Sequence, residues 1–203
     1  IADVSYYVHE NSPLDLEARE RGTSVYLVDR VLPMLPERLS NGICSLNEGE
    51  DRLVMGCEMK IQARDGKLLS YDLFPGVIHS HHRLTYTLVR QVVQDRDQQL
   101  REKYADIAPM LDCMAELCKV LQKKRAARGA IDFDLPEQKV LLDAQGHPVE
   151  IVPRVRSIAE SLIEEFMLAA NETVAAHLAG KHWPLLFRVH DMPAQEKMQN
   201  LSR

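Results

Sequence analysis

Between Arg52 and Ile61 the chain alternates, with Leu53, Met55, Cys57, Met59 and Ile61 on one face and Val54, Gly56, Glu58 and Lys60 on the other. A period of two marks a half-buried strand, because successive side chains leave a strand on opposite sides. Asp65-Gly66 follows as a two-residue hairpin signal, so Lys67 to Phe74 is expected to pair back antiparallel. Pro75-Gly76 predicts a bend or bulge before Val77 and Ile78 continue the sheet. At Thr85 the period changes to 3.6, with Leu84, Leu88, Val89, Val92 and Val93 forming one stripe of a helix of about two to three turns. A chain that switches period in this way has to pack helices onto an antiparallel ribbon. The expected fold class is therefore α/β, with mixed, mainly antiparallel strands packed against long helices.

The remaining segments fill in that outline. Ile1 to Val8 reads as a strand, and Leu14 to Arg21 as a short helix ended by Gly22. The stretch Arg21 to Leu46 holds the apolar run Val25 to Val28, then Pro33 and Pro36, which forbid a helix through Val31 to Met34 and let Pro36 open a short one. It ends in the turn pair Asn41-Gly42. Gln98 to Arg128 is a long helical segment with Leu100, Tyr104, Ile107, Leu111, Met114, Leu117, Cys118 and Leu121 on its apolar side, kinked or divided by Pro109 and closed by Gly129. Lys139 to Ala144 and Val149 to Pro153 form a second hairpin around Gln145-Gly146. Ser157 and Glu160 make a capping box for a helix whose expected core stripe is Ile158, Ala159, Leu162, Ile163, Phe166, Met167, Ala170 and Val174, with Gly180 just beyond its last turn. Leu185 to Val189 is strand-like, and Pro193 opens a last helix to Leu201.

At 203 residues and 45% hydrophobic, the chain can bury one substantial core or two small ones. Its first residue is Ile, not Met, which suggests a piece of a larger polypeptide. No run has the length of a membrane span and no charged-then-apolar leader is visible, so no membrane partner is expected. Four cysteines without CxxC spacing point to a reducing cytoplasm. The net charge of −5 argues against a generic nucleic-acid binder, since counterion release needs clustered Lys and Arg. Local basic groups exist at Lys123, Lys124, Arg125 and Arg128, and at Arg154 with Arg156. They fit either a narrow channel that grips a few phosphates or solvated helix ends favoured by the helix dipole.

Several side chains carry candidate chemistry. Tyr26, flanked by Arg21 and Arg30, is either a stacking platform beside phosphate-binding charges or a core tyrosine. Tyr86 opens its helix, where a phenol beside free amides can donate to a phosphate or pack under the preceding strand. Phe133, in the extended AIDFDLP, stacks on a base if exposed and is an ordinary strand aromatic if buried. On the wheel of the Ser157 helix, Glu165 lies about 200° from Ile163 and is expected to meet solvent, whereas Glu164 lies about 100° away on the shoulder of the buried face. From there Glu164 either reaches a cleft or pairs with a nearby Arg or Lys. The histidines of HSHH at 79 to 82 lack a second ligand cluster, so they read as solvent-facing or locally hydrogen-bonded. His190-Asp191 has no nucleophile motif such as GxSxG to serve.

Long segments also carry a family likeness: IADVSYYV, LDLEARERGTSVYL, VLPMLPERLSNGICSLN, HSHHRLTYTLV, LIEEFMLAAN and LFRVHDMP, in this order over nearly the whole chain. The sequence resembles the catalytic domain of the ribonuclease II and ribonuclease R family of processive 3′ to 5′ exoribonucleases, and within it the ribonuclease R branch. The resemblance implies a magnesium-dependent hydrolase of single-stranded RNA that releases nucleoside monophosphates. It implies that Tyr26 and Phe133 clamp the last nucleotides, and that Tyr86 and the first acid of the IEE motif, Glu164, lie near the scissile phosphate. In such a family the magnesium is held by a cluster of aspartates just upstream of IADVS, and an arginine of a SPIRRY-type motif lies downstream. Neither is present here. Residues 1–203 are thus expected to be one piece of that domain, truncated at both ends and inactive alone, with no metal site of its own and with other RNA-binding domains in the parent chain. The competing class is a non-enzymatic RNA-binding or scaffold protein on the same domain.

Overall fold

The computed structural model describes residues 1–130, 137–154, 156–187, 189 and 191–201. Its strands form three separate two-stranded antiparallel ribbons set among helices, a mixed α/β architecture. The first helix, α1 (Pro13–Arg21), begins where the Ser12 hydroxyl accepts from Asp15 N and ends at Gly22, whose φ of 67° only glycine adopts at little cost. A two-residue ribbon follows, β1 (Val25–Tyr26) against β2 (Val31–Leu32), with Leu27 N donating to Arg30 O at 2.8 Å. After Pro36 the chain makes a π-helical turn, Arg38–Ile43, which absorbs Asn41-Gly42 into its interior.

The long ribbon joins β3 (Asp51–Ile61) to β4 (Leu68–His79). Its connection is longer than the two residues that Asp65-Gly66 predicts: Gln62 N donates to Lys67 O and Gly66 N to Gln62 O, so residues 63–66 make the turn. The expected bulge at Pro75-Gly76 is absent, and Met55 faces Pro75 and Val54 faces Gly76 in unbroken register. The reason lies on the outer edge of β3. Met55 N donates to Ile1 O, and Met55 O accepts from the Ile1 ammonium. Met55 and Pro75 therefore form a non-hydrogen-bonded pair, and the amide that proline lacks would have pointed away from β3. The expected strand at Ile1 to Val8 shrinks to one bridge, Ala2 to Val54, because the Asp3 carboxylate then caps a 3₁₀ turn at Val4–Tyr6.

The helical block comprises α2 (Tyr86–Val93), α3 (Gln98–Lys103), α4 (Ala108–Ala127) and α5 (Ile158–Gly180). Thr85 caps α2, and the Ser157–Glu160 capping box opens α5. Pro109 sits in the first turn of α4, where its missing amide is harmless, so the long helical segment is divided at residues 104–107. Val92, Val93, Ala108, Leu111 and Ala115 form the core, and Leu88, Met114 and Ile158 pack against it. A third ribbon, β5 (Glu137–Leu142) with β6 (Pro148–Arg154), matches the second expected hairpin, and α6 (Gln195–Leu201) matches the last helix. Residues 185–187 and 189 form no strand, and Leu186 is fully exposed. Among the described residues no helix is long and apolar enough to cross a membrane.

The buried stripe of α5 is rotated from the expected one. Ala159, Leu162, Glu165 and Thr173 are buried, while Ile163 and Met167 are 39% and 59% exposed. The wheel placed Glu165 in solvent; it is 3% exposed. The correction follows from what covers the helix: α4 lies along one side, and the tip of β3–β4 reaches over the same side, where Thr173 Oγ1 contacts Met59 Sδ at 3.4 Å. Apolar periodicity alone carries no record of that second covering layer.

Candidate functional site

The loop from β4 to α2 is held at several points before Tyr86 appears. His79 Nδ1 meets Asp51 at 2.7 Å, and His82 Nε2 meets Asp106 at the same distance. Arg83 N donates to Glu48, and its guanidinium to Asn47. The hydrogen bond from His82 holds the Asp106 carboxyl below the usual carboxylate range. Two of the HSHH imidazoles are thus each engaged by one carboxylate, and among the described residues no group of three His, Cys, Asp or Glu is placed to hold a metal ion.

This loop delivers Tyr86 to the rim of a cleft of about 690 Å³ between α2, α4 and α5, lined by Arg83, Val89, Leu111, Met114 and Ile163 among others. Tyr86 is 45% exposed and its hydroxyl has no hydrogen-bond partner among the described residues, so it is a rim residue and not one packed under a strand. Tyr86 is the first residue of α2, whose opening turn lacks intrahelical partners for its amides, one of which, Leu88 N, donates to the Thr85 hydroxyl. Ile163 lines the cleft, and the next residue, Glu164, is half-buried and ion-paired to Arg156, with Arg125 3.9 Å away. The structure therefore brings Tyr86 and Ile163 to this cleft, whereas the Glu164 carboxylate is not among the lining residues and stands one residue further along α5, beside Arg156 and Arg125.

Tyr26 lies elsewhere, 79% exposed on β1, which excludes a core tyrosine. Its flanking arginines are engaged locally: Arg21 Nε donates to Glu17 at 2.8 Å, and Arg30 Nε donates to Asp29 at 3.0 Å. Among the described residues no polar contact or shared pocket links Tyr26 to Tyr86 or Glu164. Phe133 and His190 lie outside the described residues.

The site element that sequence reasoning missed is Arg125 with Glu165. Arg125 Nε donates to Glu165 Oε1 at 2.8 Å and a second guanidinium nitrogen lies 2.7 Å from the same oxygen. A signal existed: the α4 stripe through Cys118 and Leu121 reaches Arg125 one turn later, and an arginine at a core position requires a carboxylate. Two further basic residues of this end of α4 are also engaged, Lys124 Nζ with Gly66 O at 2.8 Å and Arg128 with both oxygens of Glu172. Cys118, fully buried beside them, has its thiol pushed up to about 11, first by burial and then by Glu165 and Glu164, so it is no nucleophile at neutral pH.

An α/β domain with antiparallel ribbons around a helical block, and with a tyrosine on the rim of a cleft between its helices, is the class the geometry defines. The model of the RNB domain matches residues 1–203, and the chain belongs to that family. It is 50% identical to ribonuclease R 1 of Lactococcus lactis over 98% of this chain and 24% of that protein, and 50% identical to ribonuclease R of Thermotoga maritima over 99% of this chain and 28% of that protein. Among solved structures, Mycoplasma genitalium RNase R in complex with ribose-methylated single-stranded RNA superposes with a TM-score of 0.88 at 35% identity, covering 99% of this chain and 31% of that one. The chain thus spans about a quarter to a third of the length of these relatives.

Proposed function

We propose that these residues form part of the catalytic domain of a cytoplasmic, processive 3′ to 5′ exoribonuclease that hydrolyses single-stranded RNA to nucleoside monophosphates. The observation that supports this is Tyr86, half-exposed on the rim of a cleft at the start of α2 in a chain of the RNB family, with Glu164 next along α5 from the cleft-lining Ile163. In this reading the Tyr86 phenol donates to a phosphate oxygen beside the free amides of α2, where positive partial charge favours an anion. Arg83 adds a fixed positive charge on the same rim. Glu164 accepts a proton or hydrogen bond near the scissile phosphate. Tyr26, and Phe133 in the segment before β5, stack on bases and hold the strand for successive cycles.

In this proposal the magnesium's ligands, and further RNA-binding domains, belong to other parts of the protein. The 203 residues alone are then inactive. The test uses end-labelled single-stranded RNA and magnesium with the full-length protein. Tyr86→Phe and Glu164→Gln are each expected to lower kcat by roughly tenfold or more, the scale on which one positioned hydrogen-bonding group acts in catalysis. Wild-type turnover in both variants would sink the assignment of this cleft, and degradation by the 203-residue chain alone would sink the claim of inactivity. A full-length protein that binds RNA without degrading it would establish the non-enzymatic alternative.

A further inference from the structure

Glu165 is the most buried charged side chain of the described residues, and nothing in the proposed reaction uses it. A carboxylate in that position is tolerated only when paired, and a buried pair adds little stability over well-packed apolar side chains of equal size. What such a pair does supply is a unique register, because any slip leaves a charge buried alone. Around it, α5 offers mainly small side chains, Ala169, Thr173 and Ala176, and a cavity of about 230 Å³ separates α5 from the tip of β3–β4. Toward its C-terminal half α5 thus has few bulky apolar side chains to lock it, and the Arg125 fork, with the exposed Arg128–Glu172 pair beyond it, is the polar contact that fixes the rotation of this part of α5 against α4. Arg125 also stands 3.9 Å from Glu164, the neighbouring residue.

We infer that Arg125 and Glu165 are positioning residues: their buried pair sets the rotation of α5 and so holds Glu164 in its working orientation beside the cleft. This rests on the role proposed above for Glu164. Consecutive residues are turned by about 100° on a helix, so a small rotation of α5 moves both acids together. Arg125 is placed to resist it, with its guanidinium fixed at the end of a helix whose preceding turns, Cys118 and Leu121, are buried.

The test compares Arg125→Met/Glu165→Met, Arg125→Lys and Glu164→Gln in the full-length protein, reading thermal unfolding, KM for single-stranded RNA and kcat. The double Met variant is expected to unfold within a few degrees of wild type with KM nearly unchanged, while kcat falls at least tenfold. Arg125→Lys, which keeps the charge and loses the fork, is expected to fall between the two. Wild-type kcat in a folded double variant overturns the inference. If the double variant does not fold, wild-type kcat in Arg125→Lys overturns it instead. Should Glu164→Gln itself turn over at the wild-type rate, the role of Glu164 fails first and the positioning claim falls with it. A slow Glu164→Gln beside a fast double variant removes the positioning claim alone.

Discussion

Helices α2, α4 and α5 close over Val92 and Cys118, each at 0% exposure, whereas β1–β2 leaves Tyr26 79% exposed and β5–β6 leaves Val149 and Ile151 64% and 63% exposed. The first region is held by side-chain packing and by ion pairs between elements. The outer ribbons are held by the hydrogen bonds of their own strands and have no buried side chain among the described residues. Candidate chemistry is divided in the same way. Tyr86 and Glu164 stand on α2 and α5, helices held by the core and by ion pairs between elements, which suits the proposed contact with a reacting phosphate, since such a group needs a fixed position. Tyr26 stands exposed on a two-residue ribbon away from the core, which suits the proposed ring that stacks on any base and needs only a face.

The comparison makes stability and RNA handling separable, and substitutions can break it. The largest expected effect on stability is at Leu162, 2% exposed between α5 and the core: Leu162→Ala should cost roughly 2–5 kcal/mol in urea unfolding of the 203-residue chain. A loss comparable to that of an exposed ribbon residue would show that the helical block is not the cooperative unit. Next comes Gly66, whose φ of +68° is strained for any other residue and where an added Cβ would lie 3.3 Å from Val120 Cγ1, a tight contact that Val120 would have to relieve. Gly66→Ala should cost about 1–2 kcal/mol, from the left-handed backbone and the displaced hairpin tip.

A smaller effect is pH-dependent. Arg101 and then Arg96 hydrogen-bond the Asp112 carboxylate and hold its pKa below the ordinary value. A depressed carboxylate stabilises the fold above its unfolded pKa of about 3.9, and that contribution disappears as pH falls through the lower folded value. The Tm gap between wild type and Asp112→Asn should therefore be constant above about pH 5 and close below about pH 4; a gap that widens in acid would contradict the assignment. The smallest effect on stability belongs to Tyr26→Ala, within about 0.5 kcal/mol of wild type, since nothing is packed on the ring. In the full-length protein the same variant should lengthen or shorten the final undegraded product more than it changes the rate. A Tyr26→Ala protein that unfolds early would mean that the ribbon belongs to the core after all.

Local chemistry was legible in the chain. The two periods, the Ser157 capping box, Gly22 and Gly129 at helix ends and the prolines at 33, 36 and 109 locate the main helices and the two longer ribbons, though not the β1–β2 ribbon, because these effects act within one turn or across one pair of neighbouring residues. The cleft-side placement of Tyr86 was legible as one of two alternatives. What the chain could not show was which alternative holds, since exposure depends on elements far away in sequence. The same limit explains Glu165. Its burial is decided by Arg125, forty residues earlier, and by a hairpin tip that reaches over the same side of α5. Pro75 is a third case: whether a proline bends a strand depends on whether its partner's amide is already bonded, and Ile1, at the other end of the pairing, decides that. Sequence by itself determined the elements and their ends; only the tertiary structure decided which charges are buried, which rings are free and which side of α5 meets the cleft, because desolvation and pairing depend on what arrives from elsewhere in the chain.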